Sequence, residues 1–579
     1  MSGKQKIISA LFIFGYVFTS GVAEAKVFNV IQSVFNAVCG ASPAGSPHPS
    51  NAPISACGEK PGRLRIPKLR EIKRRRSRKK KVPDSRRRKK PFKDIKIVTE
   101  NPDDKKPGKS RKLRSANAEK SAASKSRNSI IREDRNRIIE HDNTMKFINI
   151  IPRQICPAYK MAPSHFTRNG KLPFPKLIIF ILSIVASGKS KGVDSKSGAF
   201  FKSARRSGLW PDAEAIHRST LTKARGKVTW KIFENIFYDA VKLAYESQSG
   251  DSDSLWHGMS VFAFDGSKYN LPATDAIRKQ FDPNSGLENP GRGHYPQALI
   301  STAYDVFRRI PVARTVVSMQ NADEREEAKR MIPHIPGGGV LLFDRGYPSY
   351  DLISFLKKSY SGYSLFRCPA KSTFPAIENF VRSDQNESVI YINPSSNFLK
   401  KVDNNKKSEA KPIKLRAIKL VSYDGTLSVL LTDLLSKKKF SAKQIIKLYF
   451  RRWEVENHYR DEKIYLEIEK FHTKTCNGIR QELFAVLIMT VISRTLMQLS
   501  PSGDLEPQFK NAVMALASEA AVLLPDDPLT AARIFREVLE EIARVKYYRP
   551  KIARLSQPRI TKKANNKWCK DKVKKSRSP

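Results

Sequence analysis

The sequence predicts a mixed α/β protein, with a helical region ahead of its sheet and a long basic segment ahead of both. Three observations carry this. Short apolar runs follow one another as strands and then alternate with stretches of helical period, as in a mixed sheet. Two of those runs end in an acid, at Phe264-Asp265 and Phe343-Asp344, and in such sheets function gathers at strand ends. The formal net charge is +52 over 579 residues, of which 40% are hydrophobic, so a core and a strongly basic surface must coexist.

A positive surplus of that size repels itself unless a polyanion neutralises it. Nucleic acid suits this best, because each neutralised phosphate releases condensed counterions; an anionic membrane surface is the alternative. The six cysteines (Cys39, Cys57, Cys156, Cys368, Cys476, Cys569) show no CxxC spacing. That argues against a disulfide framework and a structural zinc site. The nine histidines form no HExxH or HxxxH pair, so any metal would have to be held by oxygen ligands.

In chain order, residues 1–26 resemble a secretory signal. Lys4 and Lys6 precede the apolar run Ile7 to Val22, and Ala23-Glu24-Ala25 resembles a cleavage site. A mis-assigned start codon or a fusion to foreign sequence would leave the same pattern. Residues 27–144 are expected to be a disordered basic extension. Between Glu59 and Arg127 there are 29 Lys/Arg against 8 Asp/Glu, too few apolar groups to offset chain entropy. Such a polycation would bind DNA without reading its sequence; a solvated tail without a role is the other reading.

Folded sequence is expected from Met145. Residues 145–250 read as a helical DNA-binding domain, with helices near Phe174 to Leu182, Ala199 to Ser207, Ala213 to Arg225 and Thr229 to Glu246, and basic residues Arg205, Arg206, Lys223, Arg225 and Lys227. Residues 255–369 read as the first part of a core. Its strands are Ser260 to Phe264, Gln297 to Tyr304, Arg309 to Ser318, Gly339 to Phe343 and Tyr363 to Arg367; its helices are Glu324 to Ile332 and Tyr350 to Lys358. Residues 370–437 read as an inserted β-rich module with strands near Val389 to Ile392, Leu415 to Val421 and Leu427 to Leu431. Residues 438–500 hold the closing helices, Ala442 to Lys470 and Gly478 to Leu499, and 501–579 are helical and then basic.

The stretch Tyr449 to Lys463 is the most informative. At about 100° per residue, Tyr449, Arg452, Glu456 and Lys463 share one stripe about 60° wide and roughly 21 Å long. Two apolar seams flank it: Leu448, Val455, Tyr459 and Leu466 on one side, Ile446, Trp453, Ile464 and Phe471 on the other. A surface helix has one apolar stripe, so two seams suggest a helix wedged into the domain with its charged strip lining a cleft. An ordinary i, i+4 ion pair between Arg452 and Glu456 is the simpler alternative.

Tyr449-x2-Arg452-x3-Glu456-x6-Lys463 resembles, in residue type and spacing, the YREK signature of the insertion-sequence-four (IS-four) family of bacterial cut-and-paste transposases. Other marks of that family stand in order: Phe166-Thr167-Arg168 with Lys171-Leu172-Pro173-Phe174, Phe264-Asp265-Gly266-Ser267, Leu342-Phe343-Asp344-Arg345-Gly346-Tyr347, and Leu431-Thr432-Asp433. The resemblance implies an RNase-H-like catalytic domain interrupted by the β-rich module. It implies that Asp265, Asp344 and Glu456 form a DDE triad ligating two Mg²⁺ ions, with Mn²⁺ able to substitute. Three clustered carboxylates would not ionise together without a cation, and hard oxygen ligands suit Mg²⁺. Tyr449, Arg452 and Lys463 resemble the residues that grip DNA phosphates, which Arg does with a bidentate fork.

The implied partners are double-stranded DNA with terminal inverted repeats, target DNA, and a second copy of the chain in a synaptic homodimer. The implied location is cytoplasmic, on the nucleoid. Family members that pass through a DNA hairpin hold a flipped base on an aromatic of the β module, commonly Trp. Residues 370–437 contain no Trp; Phe374, Phe380, Tyr391, Phe398 and Tyr423 are the candidates. Two other functions remain open: a catalytically idle DNA-binding relic or repressor of transposition, and an exported or membrane-associated basic protein.

Overall fold

Pro173 and Pro175 bracket the start of an apolar run, and a helix tolerates proline in its first turn because those N–H groups have no intrahelical partner. The run folds accordingly as α1 (Phe174–Ala186) in the computed structural model. The structure describes residues 146–547 except 169, 189–191, 249–251, 283–294, 372, 402–409, 423–424 and 504. The signal-like segment, the basic extension and the basic tail after Tyr547 lie outside the described residues.

α2 (Val193–Arg206) packs on α1 through an aromatic cluster of Phe180, Phe200, Phe201 and Trp210. α3 (Arg218–Arg225) starts at His217, whose ring accepts the Ser219 amide, and α4 (Lys231–Ser247) follows. α4 buries Phe233, Ile236, Phe237, Ala240 and Ala244, the i, i+3, i+4, i+7 pattern of a one-faced helix.

The sheet then begins with β1 (Val261–Asn270), followed by α5 (Asp275–Phe281), β2 (Gln297–Asp305), β3 (Ile310–Ser318), α6 (Glu324–Met331), β4 (Val340–Phe343), α7 (Tyr350–Ser359) and β5 (Tyr363–Pro369). Next come α8 (Pro375–Arg382), β6 (Glu387–Ile392), α9 (Ser396–Lys401), β7 (Ile413–Val421) and β8 (Leu427–Thr432). All belong to one eight-stranded sheet ordered β3-β2-β1-β4-β5-β8-β7-β6. β1, β2 and β3 pair antiparallel, and β4 and β5 join β1 in parallel. β8, β7 and β6 continue antiparallel from β5. The first five strands are consistent with an RNase-H-like sheet.

α10 (Ala442–Tyr449), α11 (Trp453–Arg460), α12 (Cys476–Leu499), α13 (Phe509–Ser518) and α14 (Pro528–Arg544) complete the described chain. α12 is long and apolar enough to cross a membrane, yet 89% of its apolar window is buried. It packs against α1, α4, α13, α14 and β3, which explains a helix apolar on all sides.

Three expectations change. β1 does not end at Asp265 but runs five residues further, because β2 pairs with it from Phe262 to Asn270. The single helix expected over Ala442 to Lys470 is interrupted by a 3-10 turn at Phe450–Arg452 and ends in a π turn at Asp461–Tyr465. Arg225, expected among the basic residues of the DNA-binding domain, is buried: Nη1 pairs with Glu482 at 2.9 Å, and Nε and Nη2 reach Gln481 and the Gly478 carbonyl. It ties α3 to α12.

Candidate active site

β1 and β4 are neighbours in register, with Ala263 opposite Leu342. Phe264 and Phe343 therefore stack, their ring centroids 4.7 Å apart, and Asp265 and Asp344 emerge side by side. β4 stops at Phe343 while β1 continues on β2, so the sheet opens at that point. The Asp344 Oδ1 accepts the Arg345 amide at 2.6 Å and the Tyr449 hydroxyl at 3.4 Å.

The helical segment over this opening is fixed at both ends. Ser441 and Gln444 form a capping box at the start of α10, which satisfies two otherwise orphan N–H groups. Further along, the Tyr459 hydroxyl donates to the carbonyls of Asp265, at 2.8 Å, and Ile300, at 3.0 Å. α11 is thereby bonded directly to the backbone of the first acid. Beneath it lies a buried cluster: Arg314 Nη2 is 3.0 Å from the Glu462 carboxylate, His458 is 3.3 Å from it, and Tyr269 donates its hydroxyl to it. Burial would raise the Glu462 pKa, but Arg314 and then His458 outweigh it and hold it at about 2.

Arg452 lies almost wholly buried, and its Nη2 is 2.6 Å from Glu456 Oε1. Burial lowers its pKa, but the combined influence of Tyr449, Asp344, Glu456 and Asp265 raises it above the usual arginine value. Its Nε and Nη1 have no hydrogen-bond partner. Asp265 is raised from 3.8 to about 7, first by burial and then by the charges of Glu456 and Glu324, with Arg452 opposing. Glu456 contacts the Arg452 guanidinium, and Asp344 and Asp265 act on it through their charge. Among the described residues no three His, Cys, Asp or Glu side chains are gathered closely enough to hold a metal as they stand.

Of the six residues singled out by sequence, Asp265, Asp344, Glu456, Tyr449 and Arg452 meet here. Lys463 turns elsewhere: its Nζ donates to Ser267 Oγ at 2.7 Å and the Lys268 carbonyl at 2.8 Å, tying the π turn to β1. The simpler ion pair, Arg452 with Glu456, is present. One apolar seam is buried, at Leu448, Val455, Tyr459 and Leu466, but Trp453 and Ile464 of the other are 56% and 60% exposed. Of the candidate stacking aromatics, Phe374 and Phe380 are buried, Phe398 packs on Tyr350, and Tyr391 on β6 is exposed. Tyr423 lies outside the described residues. Thr432-Asp433 serves the sheet: Asp433 accepts the Ser364 amide and pairs with Lys357. Sequence reasoning missed Glu324, whose carboxylate lies against Gly266; the capping residue Asp323 marks its helix but not its neighbours.

The class defined by this fold is a mixed α/β domain with acids on two adjacent parallel strands, one within β1 and one just past the end of β4, beneath a helical segment that carries Arg452 and Glu456. Residues 256–492 match the family described as Transposase DDE domain. InsZ of Escherichia coli (strain K12) is 25% identical over 158 residues, covering 27% of this chain and 52% of InsZ. InsG of the same organism, the transposase for insertion sequence element IS4, is 23% identical over 235 residues, covering 40% of this chain and 51% of InsG. The matched stretches thus span about half the length of these relatives. A solved piggyBac transposase synaptic complex with hairpin DNA is 11% identical, covering 70% of this chain and 78% of that one, at a TM-score of 0.33, too low to carry an argument. The chain contains a DDE-transposase domain related to insertion-sequence transposases.

Proposed function

We propose that this chain is a DNA transposase of the IS-four, YREK type, which binds the ends of its insertion sequence and catalyses metal-dependent strand cleavage and strand transfer. The observation that carries the reading is the meeting of Asp265, Asp344 and Glu456 around Arg452, inside the stretch that matches the DDE domain. The donor set fits a hard divalent cation, being carboxylate oxygen throughout, and burial raises the Asp265 pKa to about 7, so that a cation beside it favours the ionised form that would bind metal. Asp265, Asp344 and Glu456 would hold Mg²⁺, as two ions, or Mn²⁺. Held by these three carboxylates, such ions would supply charge stabilisation to an in-line phosphoryl transfer.

The side chains divide the remaining work. Tyr459 fixes the Asp265 backbone, and Tyr449 orients the Asp344 carboxylate. Arg452, with two unpartnered donors, exchanges Glu456 for a DNA phosphate once the carboxylates are otherwise neutralised. Lys463 holds the strand that carries Asp265 and reaches phosphate only by leaving Ser267. The partners in this reading are the terminal inverted repeats, target DNA and a second copy of the chain, at the nucleoid in the cytoplasm.

The test uses the full chain and duplexes carrying the DNA that flanks its reading frame. Wild type nicks element ends with Mg²⁺, whereas Glu456→Gln binds them equally but does not cut, because a metal ligand is lost. End binding without cutting by wild type would instead identify a catalytically idle repressor, and unimpaired nicking by Glu456→Gln removes that residue from the chemistry.

A further inference from the structure

Glu324 opens α6, the helix that joins β3 to β4. The Asp323 side chain caps that helix by accepting the Arg325 and Glu326 amides, so Glu324 is not needed for the cap. Its carboxylate instead leans over the sheet opening. A Cβ placed on Gly266 would stand 2.5 Å from Glu324 Oε1 and 3.0 Å from its Cδ, and one placed on Gly346 would stand 3.9 Å from Oε2. The carboxylate therefore lies between the Asp265-Gly266 and Asp344-Arg345-Gly346 segments, and the missing side chain at Gly266 is what admits it. Arg325 locks the same turn to the second segment, donating Nε and Nη2 to the Gly346 carbonyl at 3.1 and 2.9 Å.

A carboxylate wedged between two acid-bearing segments is repelled unless a cation joins them. Arg452 does not do this for Glu324, since its one bonded nitrogen is turned to Glu456. Lys268 acts on Glu324 through its charge, but Glu324 makes no hydrogen bond or ion pair among the described residues. The buried Nε and Nη1 of Arg452, left without an acceptor, add an independent sign that the cleft receives a ligand carrying acceptor oxygens, such as a phosphate.

We propose that Glu324 is a fourth carboxylate of the metal centre, holding the divalent cation together with Asp265 and Asp344; this rests on the metal-dependent reading above. Gly266 is its counterpart, the residue that keeps room for it.

The experiment titrates Mn²⁺ into the full chain without DNA by calorimetry, and records melting with and without Mn²⁺. Glu324→Gln is expected to weaken Mn²⁺ binding about tenfold or more, the scale of losing a supporting group at a metal site. It is also expected to raise the melting temperature of the metal-free protein, because a repelling charge is gone. Gly266→Ala, whose methyl group displaces the Glu324 carboxylate, is expected to show the same loss of Mn²⁺ affinity. Wild-type affinity in Glu324→Gln, with binding lost in Asp265→Asn, overturns the role of Glu324 and leaves the metal-dependent reading standing. A lower metal-free melting temperature with unchanged affinity assigns Glu324 to the helix end alone and also overturns it. A wild-type protein that binds no Mn²⁺ overturns both.

Discussion

Asp265 is caught between burial, which favours its neutral form, and Arg452, which favours its charged form; burial prevails and the pKa rises to about 7. The folded protein then keeps a proton that the unfolded chain releases near 3.8. By linkage, the metal-free protein loses stability as pH rises from about 4 to 7, the window where only the folded state is protonated. The loss from this group is of order 2 kcal/mol, allowing for its partial exposure to water. Chemical denaturation in chelator between pH 4 and 8 reads it directly. The decline should vanish in Asp265→Asn, and a wild-type profile flat or rising through this window, with the same profile in Asp265→Asn, would show that Asp265 is ionised throughout. The acids themselves were legible in sequence as residues that end apolar runs, but the strength of their coupling was not. It depends on Glu456 and then on Glu324, whose place against Gly266 is set by how α6 crosses the sheet.

At the scale of elements, the helix carrying Tyr449, Arg452 and Glu456 shows where periodicity is informative and where it stops. Up to Arg460 the chain winds regularly enough for these three residues to share a face, as their spacing implies. The π turn at Asp461–Tyr465 then shifts the register, and Lys463 leaves the stripe for Ser267. The turn coincides with two buried acids, Asp461 bonded to Arg494 at 2.7 Å and Glu462 beside Arg314. Partners on β3 and α12 are invisible to a local pattern. Trp453 and Ile464 were expected in a seam for the same reason: the period shows which residues share a face, not whether that face is covered. Removing one partner should therefore be severe. Arg314→Met leaves Glu462 buried without its ion pair and is expected to cost about 3–5 kcal/mol, whereas Arg314→Met with Glu462→Met should recover most of it. Urea melts of the two variants measure this, and equal stabilities would mean that the pair is not what holds α11 over the sheet.

At the scale of the whole molecule, charge and fold are separable in the sequence. The described core starts at Phe147 and runs continuously through the sheet and helices to Ile542, and every residue of the candidate site falls between those two positions in the chain. The densest charge lies elsewhere, in the surplus of 21 positive residues (29 less 8) between Glu59 and Arg127. A protein starting at Met145 is therefore expected to fold and to cut element ends with the same Mg²⁺ requirement. It should bind random duplex more weakly and with a shallower dependence on salt. Each phosphate contact contributes about 0.9 to the slope of log K against log salt concentration, so even a third of that surplus touching DNA would flatten the slope by about 6. The slope is the measurement to make, since it counts released counterions where a single affinity would mix them with specific contacts. Should the truncated protein keep its nonspecific slope but lose recognition of element ends, the first 144 residues read DNA sequence, and the basic segment is part of the recognition surface and not a nonspecific tether.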